Sequence, residues 1–434
     1  MRTSDHTRPS PNRVEWEAEA LTDTDTYEYR AKCLQGTEPG TANLDADSTG
    51  DRIREQRRLA RLTQKQLADR LPYSYSLLNQ VECGARPATV DFVAAVAHAL
   101  RIDVTALTGQ PYVAELQQDR LAELVRPIRE ALDLYDLGDD PHLTTRATGR
   151  LMGAADQLRA DVRATHLRKA ARALPGVIAE LTTTAYRTPG RDVWQALAST
   201  YRTAHDISVK LGYYDLSAVA LDRMDWAAQR ASDPCLGAVR QYMRALVYFR
   251  EGEYVIGQRL IRSGHSLLDP ADQGREALAV AGQLHLGASV IAARAANGTA
   301  VDTHLGEAET YAKRTGDASD AYWLSFGPTN VALHRMSAAV EMRHYDDAVQ
   351  QARHIKLPAS TATSRRAHFL IDRARSEMEI GRTEAALKSI AEARHAAPEQ
   401  TRYHPGARET VRGLVHLSRR TSDSLGHLAA WIGL

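Results

Sequence analysis

Two textures of hydrophobic and polar positions divide the chain. From residue 51 to 108, apolar side chains recur at helical spacing in short bursts. Ile53 and Ala60 share a face with Arg57; then come Leu67, Ala68 and Leu71, then Leu77, Leu78 and Val81, then Val93, Val96, Ala97 and Leu100, and finally Val104 to Leu107. Capping chemistry bounds the bursts. Thr63 and Gln66 form a Thr-x-x-Gln capping box. Ser74 and Thr89 can cap the helices that follow them. Gly84 stands where a left-handed C-terminal cap favours glycine. The spacing predicts five short helices. Beyond Gly109-Gln110-Pro111 the chain is rich in Ala, Leu and Arg, shows no strand-like alternation, and breaks at Gly or Pro, among them Pro141, Gly190, Gly212, Gly252, Gly298, Gly381 and Pro398. An all-α chain is expected throughout.

The second texture repeats. GYYDLSAVALDRM (212–224), GEYVIGQRLIRSG (252–264), RHYDDAVQQARHI (343–355) and GRTEAALKSIAEA (381–393) each place Gly or Arg at a helix end and small or apolar residues down the next helix. A divergent copy is placed at 299–311, TAVDTHLGEAETY. In the last copy Ala374, Gly381, Ala386, Ile390, Ala393 and Pro398 resemble the tetratricopeptide signature, with Arg373 in place of its leucine. One such helix pair cannot bury its apolar face alone, so neighbours are expected to stack into an α-solenoid with a concave groove.

Charge locates the candidate chemistry. The chain has 55 Lys+Arg against 54 Asp+Glu, so any nucleic-acid site must be a local patch. Between Arg52 and Arg70 seven basic residues face only Glu55 and Asp69, a net of +5. Residues 1–48 carry a net of −5 with scattered Pro and Gly, and are expected to be a disordered acidic tail. Four regions follow: the tail 1–48, a DNA-binding domain 49–109, a helical connector 110–190, and a repeat domain 191–434. Cys33, Cys83 and Cys235 form no Cys-x-x-Cys pair, so neither zinc site nor disulfide framework is expected. No stretch approaches the ~18 apolar residues of a membrane span, and the N-terminal segment lacks a signal-peptide core. A cytoplasmic protein is expected. No His-Glu-x-x-His pair, glycine-rich phosphate loop or Gly-x-Ser-x-Gly elbow occurs, so neither enzyme activity, cofactor nor metal is expected.

The run DRIREQRRLARLTQKQLADRLPYSYSLLNQVECGARPAT resembles the lambda-repressor-like, Xre-type helix-turn-helix through Arg57, Leu62-Thr63-Gln64, Leu67-Ala68, Ser74, Leu78, Val81-Glu82, Gly84 and Arg86. The resemblance implies that Tyr75, Ser76 and Gln80 meet base edges with Asn79 nearby, that Gln64 and Arg86 grip phosphates, and that Arg57 and Glu82 form an internal ion pair. Lys65 and Ser74 complete the expected contact set. Independently, Gln80 can bond an adenine through two hydrogen bonds, and Tyr75 offers a ring to a thymine methyl. Pro72 stands where the family has glycine; proline cannot adopt φ > 0, so the turn must close differently.

The arrangement as a whole resembles actinobacterial regulators with tetratricopeptide-type sensor domains, with LTGQPY (107–112) and FGPTNVALHR (326–335) as characteristic phrases. More distantly it resembles the peptide-responsive regulators of Gram-positive bacteria. That resemblance implies an asparagine that clamps a ligand, for which Asn330 is the candidate, with His334, Arg202, Asp206, Tyr242, His368, Asp372 and Arg375 on equivalent inward faces. The expected function is a transcription regulator that reads operator DNA as a homodimer and senses a peptide or small molecule. Its dimer contact is placed around Val411–Trp431. The alternative is a DNA-localised adaptor whose groove binds a partner protein.

Overall fold

Five short helices open the structure: α1 (Thr49–Leu59), α2 (Gln64–Ala68), α3 (Tyr75–Glu82), α4 (Val90–Leu100) and α5 (Val104–Thr108). The computed structural model describes residues 49–102, 104–108, 118–268, 274–418 and 423–434. The expectations for the acidic segment 1–48 and for the break at Gly109-Gln110-Pro111 lie outside those residues. Ile53, Leu67, Leu78, Val81, Phe92, Val96 and Leu107 close a small core of their own. Thr63 makes the reciprocal capping box with Gln66, and Ser74 and Thr89 accept from Leu77 N and Phe92 N. No residue of the Asp69–Ser74 turn has a positive φ, so Pro72 is accommodated by a turn that needs no left-handed residue.

The remainder is a stack of helix hairpins: α6 (Gln118–Asp133), α7 (Thr148–Arg163), α8 (Leu167–Arg187), then the pairs α9 (Arg191–Leu211) and α10 (Tyr214–Arg230), α11 (Pro234–Glu251) and α12 (Tyr254–Leu267), α13 (Arg275–Arg294) and α14 (Gly298–Thr315), α15 (Pro328–Glu341) and α16 (Tyr345–His354), and α17 (Thr363–Glu379) and α18 (Thr383–Ala396). Three shorter helices follow, α19 (Pro398–Tyr403), α20 (Pro405–Leu417) and α21 (Asp423–Ile432). The described residues contain no strand.

One local device makes each hairpin. The first helix of each pair ends at a left-handed residue, namely Gly212, Gly252, Ala296, Arg343 and Gly381, with φ between 55° and 86°. The next N–H then bonds the carbonyl five residues back: Tyr213 to Ser208, Glu253 to Tyr248, Asn297 to Ala292, His344 to Ala339 and Arg382 to Glu377, at 2.8–2.9 Å. This is the Schellman closure, which satisfies orphan carbonyls and reverses the chain in two or three residues. The third copy turns at Ala296-Asn297, ahead of the expected 299–311. Its signal was weak because alanine holds the position where its counterparts have glycine or arginine. The helices of the expected connector, α6 to α8, share one apolar core with α9 to α12: Ile128, Leu151, Leu174 and Leu181 pack with Leu197, Tyr201 and Leu221.

One expectation is corrected. Helix α13 is long and apolar enough to span a bilayer by length and composition, contrary to the sequence reading. It lies in the interior of the stack, with 83% of its apolar window buried. Around Val411–Trp431, where a dimer contact is expected, Val411, Leu414, Leu425 and Leu428 pack inside with Ile371, Ile390 and Ile432.

Between α14 and α15 the chain folds inward as an irregular segment, 316–327, closed by Ala318 N to Phe326 O at 2.9 Å. Phe326 is fully buried against Gly282 of α13, where a Cβ would lie 2.1 Å from the ring. Gly282→Ala is expected to destabilise the fold by about 1–3 kcal/mol through overpacking. A melting temperature equal to that of the wild type would show that the Phe326 ring does not occupy this contact.

Candidate nucleic-acid interface

Helix α3 is held by a polar frame. Arg57 Nε and Nη2 donate to Glu82 Oε1 and Oε2 at 2.7 and 2.8 Å, and Arg57 Nη1 donates to Leu62 O at 2.8 Å. Both side chains are buried, Glu82 to 2% exposure, so the paired geometry replaces the water each ion has lost. Gln64, expected at phosphate, is turned inward and ties α2 to α3. Its Nε2 donates to Glu82 Oε2 at 2.8 Å and Asn79 Oδ1 at 3.4 Å, and its Oε1 accepts from Tyr75 Oη at 3.2 Å. Ser74 serves as the N-cap, accepting from Leu77 N at 3.3 Å. Lys65, Tyr75, Ser76, Gln80 and Arg86 are exposed on the outer side of the frame.

The opposite side of this head is fastened to the repeats. Asp91, in the first turn of α4 and 8% exposed, lies 3.2 Å from Arg294 Nε and 3.4 Å from Arg375 Nη2. Arg294 also pairs with Glu341 at 2.6 Å, and Glu409 Oε2 accepts from Val90 N at 3.3 Å. Burial raises the Asp91 carboxyl, but the opposing pull of Arg294 and Arg375 leaves it below the ordinary carboxylate range. Burial, with Asp91 nearby, pushes Glu409 up against the opposing pull of Arg375. At the edge, Arg343 donates to Tyr73 Oη at 2.5 Å and stacks on its ring, and His98 meets Glu253 at 2.9 Å. Sequence reading missed this cluster, because Asp91, Arg294, Glu341 and Glu409 each look like an ordinary solvated charge.

The expected groove residues separate into four groups. His334, His368 and Asp372 line one recess with Arg365 and Ser337, where Ser337 Oγ donates to Asp372 at 2.7 Å. Asn330 Nδ2 donates to Gln283 Oε1 at 3.1 Å, and Gln283 Nε2 donates to Tyr242 Oη at 2.9 Å. Asn330 is 3% exposed, and its Oδ1 is buried without a partner. Arg202 and Asp206 stand 3.9 Å apart, and Arg202 donates to the carbonyls of Tyr322 and Trp323, so it holds the inward segment 316–327. Arg375 is not in the recess: it is spent on Asp91.

Residues 49–108 match the family described as a helix-turn-helix domain. The chain therefore carries a helix-turn-helix DNA-binding head ahead of an α-solenoid. Among solved structures, that of a PrgX mutant is similar at a TM-score of 0.26 and 10% identity, covering 81% of this chain and 95% of that one. No curated protein sequence matches the chain.

Two outcomes follow from this geometry. Glu82→Ala leaves Arg57 buried and unpaired, and should cost the head about 3 kcal/mol or more, seen as faster amide exchange across α1 to α3. Unchanged exchange would mean the pair carries no weight. Burial also depresses His334 to about 3, aided by Arg365, and His404 to about 4, aided by Lys210 and Arg250. The unfolded chain then binds more protons between its histidine pKa near 6.5 and those values. Stability should therefore fall as pH drops through 6.5 toward 4, by about 1.4 kcal/mol per unit for each such histidine. A melting temperature flat across that window would contradict the burial.

Proposed function

We propose that the protein is a non-enzymatic, cytoplasmic, Xre-type transcription regulator that binds operator DNA as a homodimer and is gated by a peptide or small molecule in the repeat groove. The DNA-reading part rests on the helix-turn-helix head, whose outer face carries Gln80, Ser76, Tyr75, Lys65 and Arg86. The gating part rests on one observation. Three of the helices that bear the groove's polar residues also bear the cluster that clamps the head: Gln283 and Arg294 share α13, Asn330 and Glu341 share α15, and Asp372 and Arg375, one turn apart, share α17. In α13 and α15 the two residues are eleven apart, three helical turns or about 16 Å along one face. A ligand that shifts these helices at one end acts on Asp91 at the other.

Replacing Gln80 with Ala should cost about 1–3 kcal/mol on the operator and blur one base position. Replacing Arg86 should weaken all sequences alike and flatten the salt slope by about one unit. A Gln80, Tyr75 double substitution that kept operator affinity would refute the recognition-helix assignment. For the sensor, Asn330→Ala should leave unliganded DNA affinity near normal and abolish release of the operator by native extract. Loss of melting temperature and of both activities together would make Asn330 structural instead. One recognition helix buries too little surface for tight binding, so two half-sites about one helical turn apart are expected. A short asymmetric footprint, with a monomer by sedimentation, would refute the dimer.

A further inference from the structure

The inner face of the repeats holds more positive charge than its carboxylates answer. Lys210 lies in the last turn of α9, Arg250 in that of α11, Arg365 in the first turn of α17, and His404 just before α20. Lys210 Nζ donates to Gln400 Oε1 at 2.7 Å, and Gln400 Nε2 donates to Ser364 O, beside Arg365, at 3.0 Å. Arg250 stacks on the Tyr214 ring, while its Nη1 is buried with no acceptor. His404 meets the His368 ring edge-on at 4.7 Å, and its Nδ1 is buried without a partner. Among the described residues, Lys210, Arg250 and Arg365 have no carboxylate within 4 Å. The two acids facing them are engaged elsewhere: Asp206 with Arg202, and Asp372 with Ser337. The cations register one another. Burial lowers Lys210 to about 8 against the pull of Asp206, with Arg365 and Arg250 pushing the same way as burial.

Positive charges brought together in a low-dielectric concavity repel, and the arrangement is favourable only when a counter-charge enters. Guanidinium and ammonium groups converging from three helices, with unspent donors, match the oxygens of a carboxylate or phosphate. We propose that Lys210, Arg250 and Arg365 form an anion site in the groove, and that the ligand it takes carries a carboxylate or phosphate group. Identifying that ligand with the effector rests on the sensor reading above; the site itself does not.

The test is calorimetric titration of the full chain at fixed ionic strength with inorganic pyrophosphate, and with penta-alanine bearing a free or an amidated carboxyl terminus. At least one anionic probe should bind the wild type. Lys210→Gln and Arg365→Gln should each weaken that binding tenfold or more, while Arg365→Lys retains it and Arg353→Gln, on the exposed side of α16, leaves it unchanged. Both charge-removing variants should melt no lower than the wild type, since they relieve repulsion. Pyrophosphate binding alone identifies a phosphate ligand; binding of the free but not the amidated peptide identifies a carboxylate. Affinities weaker than about 10 mM for every probe, or equal affinity in Lys210→Gln and Arg365→Gln, would overturn the site. If extract releases the operator and Arg365→Gln does not alter that release, the sensor stands and the effector is not the ligand of this anion site. If pyrophosphate or peptide binds at these residues but no extract releases DNA, the sensor fails and the anion site stands.

Discussion

A carboxylate buried to the extent of Asp91 stays ionised only because two guanidinium groups reach it, Arg294 from α13 and Arg375 from α17. Removing one partner from such a group leaves an uncompensated buried charge, at a cost of about 3–5 kcal/mol. The helix-turn-helix head is therefore tied to the solenoid by a contact that resists being half-broken. Tyr73 against Arg343 and Val90 against Glu409 flank it, so α4 is held along its first turn and the turn before α3 is held with it. The position of α3 relative to the repeats depends on this cluster.

The solenoid makes the tie mechanically useful. The first helices of three repeats, α13, α15 and α17, carry both groove and clamp residues, and a Schellman closure fixes where each of them stops. Polar groups at the groove end are linked across helices: Asn330 to Gln283, Gln283 to Tyr242, and Ser337 to Asp372. The segment 316–327 is pinned to the same surface by Arg202 and by Arg163, which donates to Trp323 O at 2.9 Å. Packed helices respond to a ligand by shifting as units. In the proposed regulator, that shift is what the clamp transmits.

The head was legible in sequence because its determinants are local. A capping box, two further N-caps, a C-capping glycine and five apolar bursts lie within sixty residues, and Arg57 and Glu82 are read through the same frame. The repeats were legible where Gly212, Gly252 and Gly381 mark the closures, and displaced at Ala296, where the same φ carries no glycine. The groove was legible only in part. His334, His368 and Asp372 converge on one recess, but Arg375 belongs to the clamp and Arg202 to the inward segment. Neither Asp91 nor Arg365 could be singled out, because their partners stand on elements remote in sequence and only the stacking brings them together.

The most direct test of the coupling is a pulsed electron-spin distance measurement between labels at Ala85→Cys in the head and Arg353→Cys on α16, with Cys33, Cys83 and Cys235 replaced by Ser. With Asp91 intact the distribution should be single and narrow. With Asp91→Asn, which keeps the shape and removes the charge that Arg294 and Arg375 share, it should broaden or split as the head comes free. An equally narrow distribution at the same distance in both proteins would contradict the claim that this buried carboxylate fixes the reading head to the groove helices.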